Sequence, residues 1–251
     1  MSGHSKWSTI KRKKGATDAK RGQLFTRLAR EIVMAAREGG GDPEMNFRLR
    51  IAIDHAKANN MPKDGIDRAI KRGTGESKDG SVIEQIYYEG YAPKGIALMI
   101  DTLTENRNRT VAELRHILTK LGGSMGEAGS VAWQFRKIAY FGIDGSQYDF
   151  DKVFEVALEG GADDITQDDE VIEIIAPVEA FKILSDALHA ANITPQDAGL
   201  RMTPNQEIAL DPQDTVQVLK AIEQVEDLDD VQNVYSNLSI TEEAVAAIGA
   251  E

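Results

Sequence analysis

The sequence predicts an α+β protein of three domains: a helical N-terminal domain and two α/β sandwiches, the inner one inserted into the outer. Two observations carry that prediction. Up to about residue 72, apolar residues recur at helical spacing and glycine runs punctuate them. Beyond residue 80, short β-branched and aromatic runs alternate with helical stripes in the order βαββαβ, the pattern of a split-βαβ sandwich. These elements are too many for one sandwich. Two are expected, and the domains fall at 1–80, at 81–135 with 205–240, and at 136–204.

Residues 1–22 hold seven basic residues (Lys6, Lys11, Arg12, Lys13, Lys14, Lys20, Arg21) against one acid, Asp18, with few large apolar side chains beyond Trp7 and Ile10. Such a segment cannot bury enough surface to order itself, so a flexible or partner-ordered arm is expected. Leu24, Phe25, Leu28, Ile32 and Val33 then share one helical face, which Gly39-Gly40-Gly41 ends. Asp42-Pro43 reads as N-cap and first residue of a second helix with Met45, Leu49, Ala52, Ile53 and Ala56 inward. Pro62 opens a third helix carrying Ile66, Ala69 and Ile70, and Gly73-Thr74-Gly75 stops it. The polar faces of these helices display Arg27, Arg30, Arg37, Arg48, Arg50, Lys57, Arg68, Lys71 and Arg72.

The runs 86–91 and 95–100, joined through Ala92-Pro93-Lys94, suit a hairpin. A helix follows with Val111, Leu114, Leu118 and Leu121 inward and Gly122-Gly123 as its stop. Strands are expected near 130–133, over 137–143 and over 171–175, with a helix at 150–158 between the last two. A helix over 178–191, a further extended run, a helix over 215–225 and a strand at 231–235 complete the pattern.

The 251 residues include no cysteine, which removes disulfides and thiolate metal sites. The first residues are polar and basic with no apolar h-region, and runs such as Ile96–Ile100 are far too short to span a bilayer. A cytoplasmic protein with no membrane partner is expected, with a monomer as the default. The net charge of −12 hides a strong separation. Residues 1–72 contain 17 Lys and Arg against 8 Asp and Glu, a local charge of +9, and the rest contain 12 against 33, a charge of −21. A basic lobe on an acidic body points to a polyanionic partner at one end of the chain.

Enzyme signatures are missing. The four histidines (His4, His55, His116, His189) show no metal-binding spacing, and the sequence has no nucleophile elbow, P-loop or dinucleotide fingerprint. No catalytic residue, cofactor or metal is therefore assigned. The carboxylate clusters Asp163-Asp164, Asp168-Asp169-Glu170 and Asp227, Asp229, Asp230 fall in predicted turns, where turn chemistry and solubility explain them. The basic arm is the better candidate, because Lys and Arg neutralise phosphates and release counterions. Trp7, between Lys6 and Lys11, suits stacking on an unpaired base or anchoring of the arm. Asn106-Arg107-Asn108-Arg109-Thr110 is a second candidate. Thr110 with Glu113 fits a capping box, and two arginines ahead of a helix N-terminus are unfavourable unless an anion, phosphate or carboxylate, lies near. Simple capping with solvated arginines is the alternative.

Several segments together resemble the YebC family of probable transcriptional regulators. They are Gly3-His4-Ser5-Lys6-Trp7, Asp18–Gly22, Gly39–Pro43, Asn60–Asp64, Tyr88–Tyr91, Asn106–Thr110 and Asp230–Tyr235. The resemblance runs from residue 3 to about residue 237. It implies a helical N-terminal domain with two ferredoxin-like domains and no enzymatic activity. Members are described as DNA-binding transcriptional regulators, and others, including mitochondrial relatives, as translational activators at the ribosome. The expected contacts are His4, Lys6, Trp7, Lys11, Arg12, Lys13, Lys14, Lys20, Arg21, Arg27, Arg107 and Arg109, on DNA or on ribosomal RNA. An enzyme or ligand sensor using an interdomain cleft is the remaining alternative.

Overall fold

The computed structural model describes residues 18–76, 82–168, 171–241 and 243–244, apart from the side chains of residues 18–20 and 168. The protein is α+β, as its sequence predicts. The N-terminal apolar stripes fold as α1 (Asp18–Gly39), α2 (Phe47–Ala58) and α3 (Lys63–Gly73). Helix α2 starts at Phe47, not at Pro43, because Asn46 is the better cap. Its side-chain oxygen accepts from the Leu49 N–H at 3.1 Å, and its amide nitrogen donates to the carbonyls of Ala35 and Gly40, both at 2.7 Å. Asp42 instead closes an isolated turn, accepting from the Glu44 N–H at 2.9 Å. Met45 therefore falls outside the apolar stripe and is 84% exposed.

The described residues divide into two compact units, the first of residues 18–31, 82–136 and 203–244, the second of residues 32–76 and 137–202. In the first unit, β1 (Glu84–Tyr91) and β2 (Ala97–Thr104) form the expected hairpin, with Tyr88 opposite Ile100. Lys94 and Gly95 turn the chain at φ 66° and 76°. Helix α4 (Arg107–Lys120) follows, then β3 (Ser124–Met125). Gly122 at φ 85° ends α4, and the Gly123 N–H reaches back to the Leu118 carbonyl at 2.8 Å, a Schellman closure. Helix α7 (Pro212–Glu226) leads into β9 (Val231–Ser236), giving an antiparallel sheet in the order β3-β1-β2-β9. Leu114 and Leu118 of α4 pack with Val218, Ile222 and Val225 of α7 on Leu98, Ile100 and Val234. A small parallel pair, β8 (Ile208–Ala209) with β10 (Leu238–Ser239), lies beside it in sequence.

In the second unit, β4 (Phe135–Asp144), α5 (Phe150–Glu159), β5 (Asp164–Asp168), β6 (Val171–Ala176), α6 (Phe181–Ala190) and β7 (Asp197–Pro204) run βαββαβ, with sheet order β5-β6-β4-β7. Phe141, Ile143, Ile172 and Ile174 pack beneath Val153, Ala157, Leu184 and Leu188. Each such fully buried Val, Leu, Ile or Phe side chain contributes about 1.5–3 kcal/mol relative to exposure. Phe181 stands between Phe141 and Phe47 at centroid distances of 5.2 and 5.3 Å. Two expectations fail here and in the preceding loop. Asp164 and Asp168, expected in turns, bound the edge strand β5, and residues 130–133, read as a strand, enter a 3₁₀ turn over Ala132–Gln134. Among the described residues no helix is long and apolar enough to cross a membrane.

Candidate nucleic-acid interface

His4, Lys6, Trp7, Lys11, Arg12, Lys13 and Lys14 lie outside the described residues. Lys20 and Arg21 sit in the first turns of α1, and Arg21 is exposed. Arg27, expected on a polar face, is instead a clamp. Its guanidinium donates to the Glu226 carbonyl, and burial lowers its pKa against the raising effect of Glu226, Asp227 and Asp229. One turn further along α1, Arg30 donates to the Asp229 carbonyl and pairs with the Asp230 carboxylate at 3.1 Å. These two arginines fasten α1 to the 226–230 turn and are occupied there.

The Asn106–Thr110 segment does begin a helix, but Asn106 is its cap, accepting from the Arg109 N–H at 3.1 Å. Thr110 is not the cap of a capping box. Its hydroxyl is turned inward and donates to Asp230 at 2.7 Å. The anion demanded by two arginines at a helix N-terminus is supplied by this chain. Arg107 pairs with Glu84, and Arg109 donates to both oxygens of Asp230 at 2.9 Å. The Thr104 hydroxyl adds a further contact to Asp230 at 3.1 Å. Burial acts to raise the Asp230 pKa, but Arg109, Thr110, Arg30 and Thr104 outweigh it and hold the carboxyl below its ordinary value. Hydrogen bonding to those acids raises Arg107 and Arg109 in turn. Asp230, read from the sequence as a turn carboxylate, is the residue that sequence reasoning missed. Only the pairing of β9 with β2 brings it beneath α4.

Several other basic side chains carry no ion pair of this kind among the described residues. In the second unit Lys63 and Lys71 are exposed on α3, whereas Arg48 pairs with Glu38 and Lys57 with Asp54 at 3.4 Å. In the first unit Arg115, His116 and Lys120 are exposed on α4. Trp133 was equally missed. Glu89, on the sheet face away from α4, accepts backbone N–H bonds from Gly129 (2.6 Å), Val131 (2.7 Å) and Ala132 (2.8 Å). Burial acts to raise the Glu89 pKa, but these donors outweigh it and lower the carboxyl. Locked in the turn that follows, the indole N–H of Trp133 donates to the Ser130 carbonyl at 3.1 Å, and the residue is 72% exposed. Among the described residues no three His, Asp or Glu side chains converge to hold a metal ion.

Comparison with known proteins covers nearly the whole chain. Residues 5–76 match the profile of the TACO1/YebC protein N-terminal domain, and residues 83–238 match that of the TACO1/YebC second and third domain. A probable transcriptional regulatory protein of Trichlorobacter lovleyi is 53% identical over 241 residues, 96% of this chain and 97% of that one. A protein of the same description from Syntrophus aciditrophicus is 49% identical over 250 residues, covering both chains completely. The crystal structure of a conserved hypothetical protein from Aquifex aeolicus superposes with a TM-score of 0.82 at 39% identity, over 90% of this chain and 93% of the other.

Proposed function

The chain belongs to the TACO1/YebC family, and from that premise we propose that it is a non-catalytic cytoplasmic regulator of gene expression that binds DNA through its basic N-terminal lobe. The observation that carries this reading is the charge separation, +9 over residues 1–72 against −21 over the rest. A phosphate backbone attracts the basic N-terminal segment and repels the acidic remainder, so contact is drawn to the N-terminal part of the chain. His4, Lys6, Trp7, Lys11, Arg12, Lys13, Lys14, Lys20 and Arg21 form the contact set. Arg27, Arg107 and Arg109 leave it, because each is engaged by a backbone carbonyl or a carboxylate of the chain itself. The relatives' description as transcriptional regulators supports DNA as the target. Among the described residues no exposed helix face groups Asn, Gln and Arg for base edges, so positioning contacts dominate and sequence preference is modest.

A second reading, ribosomal RNA as the target, is favoured by Trp7 between Lys6 and Lys11, an aromatic suited to unpaired bases. Gradient sedimentation of cell extracts separates the two. On the DNA reading the protein stays at the top of the gradient and footprints promoter DNA. Co-migration with ribosomes that survives nuclease removal of free RNA, without a footprint, overturns it in favour of translation. In either case, deleting residues 2–17 removes five cations and lowers the slope of log K against log salt by about 4 on duplex DNA.

A further inference from the structure

We propose that Trp133 is a stacking platform for an unpaired nucleobase, a contact separate from the basic lobe. The inference rests on the nucleic-acid reading above. An indole is the largest apolar side chain a protein has, and leaving Trp133 72% exposed forgoes burial that the fold elsewhere exploits. Nor is it a loose side chain on a tip. Its N–H donates to Ser130, and the Tyr91 hydroxyl reaches the same carbonyl at 3.4 Å. Its own carbonyl accepts from the Asn205 side chain at 3.0 Å, and the next carbonyl, of Gln134, accepts from the Asn205 N–H at 2.7 Å. Glu89 fixes the turn before it through three backbone donors. The ring is thus held in place before any partner arrives, and little ordering entropy is lost when something stacks on it.

The same bonds define the occupant. With the indole N–H already engaged, the ring offers a π face and no directional donor, which suits a flat base of any identity. The residues fixed around it, Ser130, Gln134 and Asn205, are polar, whereas an apolar protein anchor needs a contiguous apolar patch. Cations for the adjoining phosphates are at hand in the same unit. Arg136 is exposed three residues further along the chain. Lys120 is exposed in the last turn of α4, just before the strand β3 that pairs with Tyr91. Neither has an ion-pair partner among the described residues. Glu127, exposed on the loop itself, disfavours a phosphate beside it, so the loop presents a ring to the base and leaves the backbone to those cations.

The chain has two tryptophans, so the full-length Trp7→Phe protein carries Trp133 as its single indole reporter. It is titrated with single-stranded oligoadenylate, as DNA and as RNA, and with a blunt duplex, while binding is followed independently by anisotropy of a labelled strand. Both single strands are expected to quench Trp133 emission along the same isotherm as the anisotropy, and the fully paired duplex is not. In the same background Trp133→Ala weakens single-strand binding about tenfold or more, and Trp133→Phe recovers part of the loss. Anisotropy binding without quenching, or with unchanged affinity in Trp133→Ala, overturns the platform and leaves the nucleic-acid reading standing. Absence of binding of any strand or duplex by the wild-type protein, followed by the same anisotropy, overturns both.

Discussion

Removing a carboxylate from water costs several kcal/mol unless donors replace its hydration. Asp230, 1% exposed, has Arg109 on both oxygens, Arg30 at 3.1 Å, and the hydroxyls of Thr110 and Thr104. Asp230→Ala removes the carboxylate that these donors share and leaves Arg30, 13% exposed, with the Asp229 carbonyl but without its ion-pair partner, so unfolding free energy is expected to fall by about 3–5 kcal/mol. The Arg109 side chain is 49% exposed. Arg109→Ala leaves Asp230 its other three donors and is expected to cost only about 1–2 kcal/mol. Urea denaturation of the two variants checks the asymmetry, and equal losses contradict it. The pH dependence follows in sign. The folded carboxyl titrates below its unfolded value, so its contribution is complete above about pH 4 and disappears as pH falls through the lower folded value. Glu89, also lowered, acts in the same direction. Stability is therefore expected to be steady near neutrality and to fall steeply below about pH 4, and Asp230→Ala is expected to flatten that acid limb. None of this was legible beforehand. Asp230 closes a run with Asp227 and Asp229 that reads as a solvated turn, and its partners lie on α1, β2 and α4, remote in sequence.

The start of α2 shows what periodicity can and cannot fix. Leu49, Ala52, Ile53 and Ala56 are buried as their spacing predicts, because an amphipathic face is a property of the segment itself. Its first residue depends on tertiary partners. Asn46 is only 6% exposed, and its amide nitrogen answers two carbonyls at the end of α1. Asn46→Ala removes the cap and the amide donor to the Ala35 and Gly40 carbonyls, an expected loss of about 2–3 kcal/mol. Asn46→Asp keeps the acceptor for Leu49 but sets a carboxylate against those carbonyls, and it too is expected to destabilise. Asp42→Ala, which removes one exposed turn bond, is expected to cost less than about 1 kcal/mol. Thermal melts of the three variants rank them, and a larger loss at Asp42 refutes this account of the helix start. Two other elements were misread for comparable reasons. Strand β5 is an edge strand pairing with β6 alone, so Asp164 and Gln167 are tolerated where a central strand needs apolar residues. The segment 130–133 has strand-like composition, but Glu89 takes the N–H groups of Val131 and Ala132 that a sheet neighbour would need.

At the scale of the whole molecule, the α+β class was legible because glycine stops and changes of hydrophobic period are local signals, and so was the charge separation. The candidate site was legible only as composition. Arg27, Arg107 and Arg109 look like any other cation in a string of letters, and folding assigns each an internal partner. What remains is a chain of net charge −12 with its cations concentrated at one end, and salt must act on it in two opposite ways. Repulsion within the acidic body opposes compaction. Screening it by raising salt from 50 to 200 mM is expected to raise the melting temperature slightly, by less than about 1 kcal/mol of stability. On the proposed nucleic-acid reading, binding runs the other way, because counterions displaced from the phosphates compete as salt rises. With about five phosphates neutralised by the arm, affinity for duplex DNA is expected to drop several hundredfold over the same interval. Measuring both on one preparation isolates the lobe. A variant lacking residues 2–17 is expected to lose most of the salt dependence of binding while keeping the rise in melting temperature, since the repulsion resides in the acidic body. If affinity were insensitive to salt, or rose with it, the attraction between lobe and phosphates would be excluded as the basis of recognition. The contact would then have to be sought among uncharged surfaces.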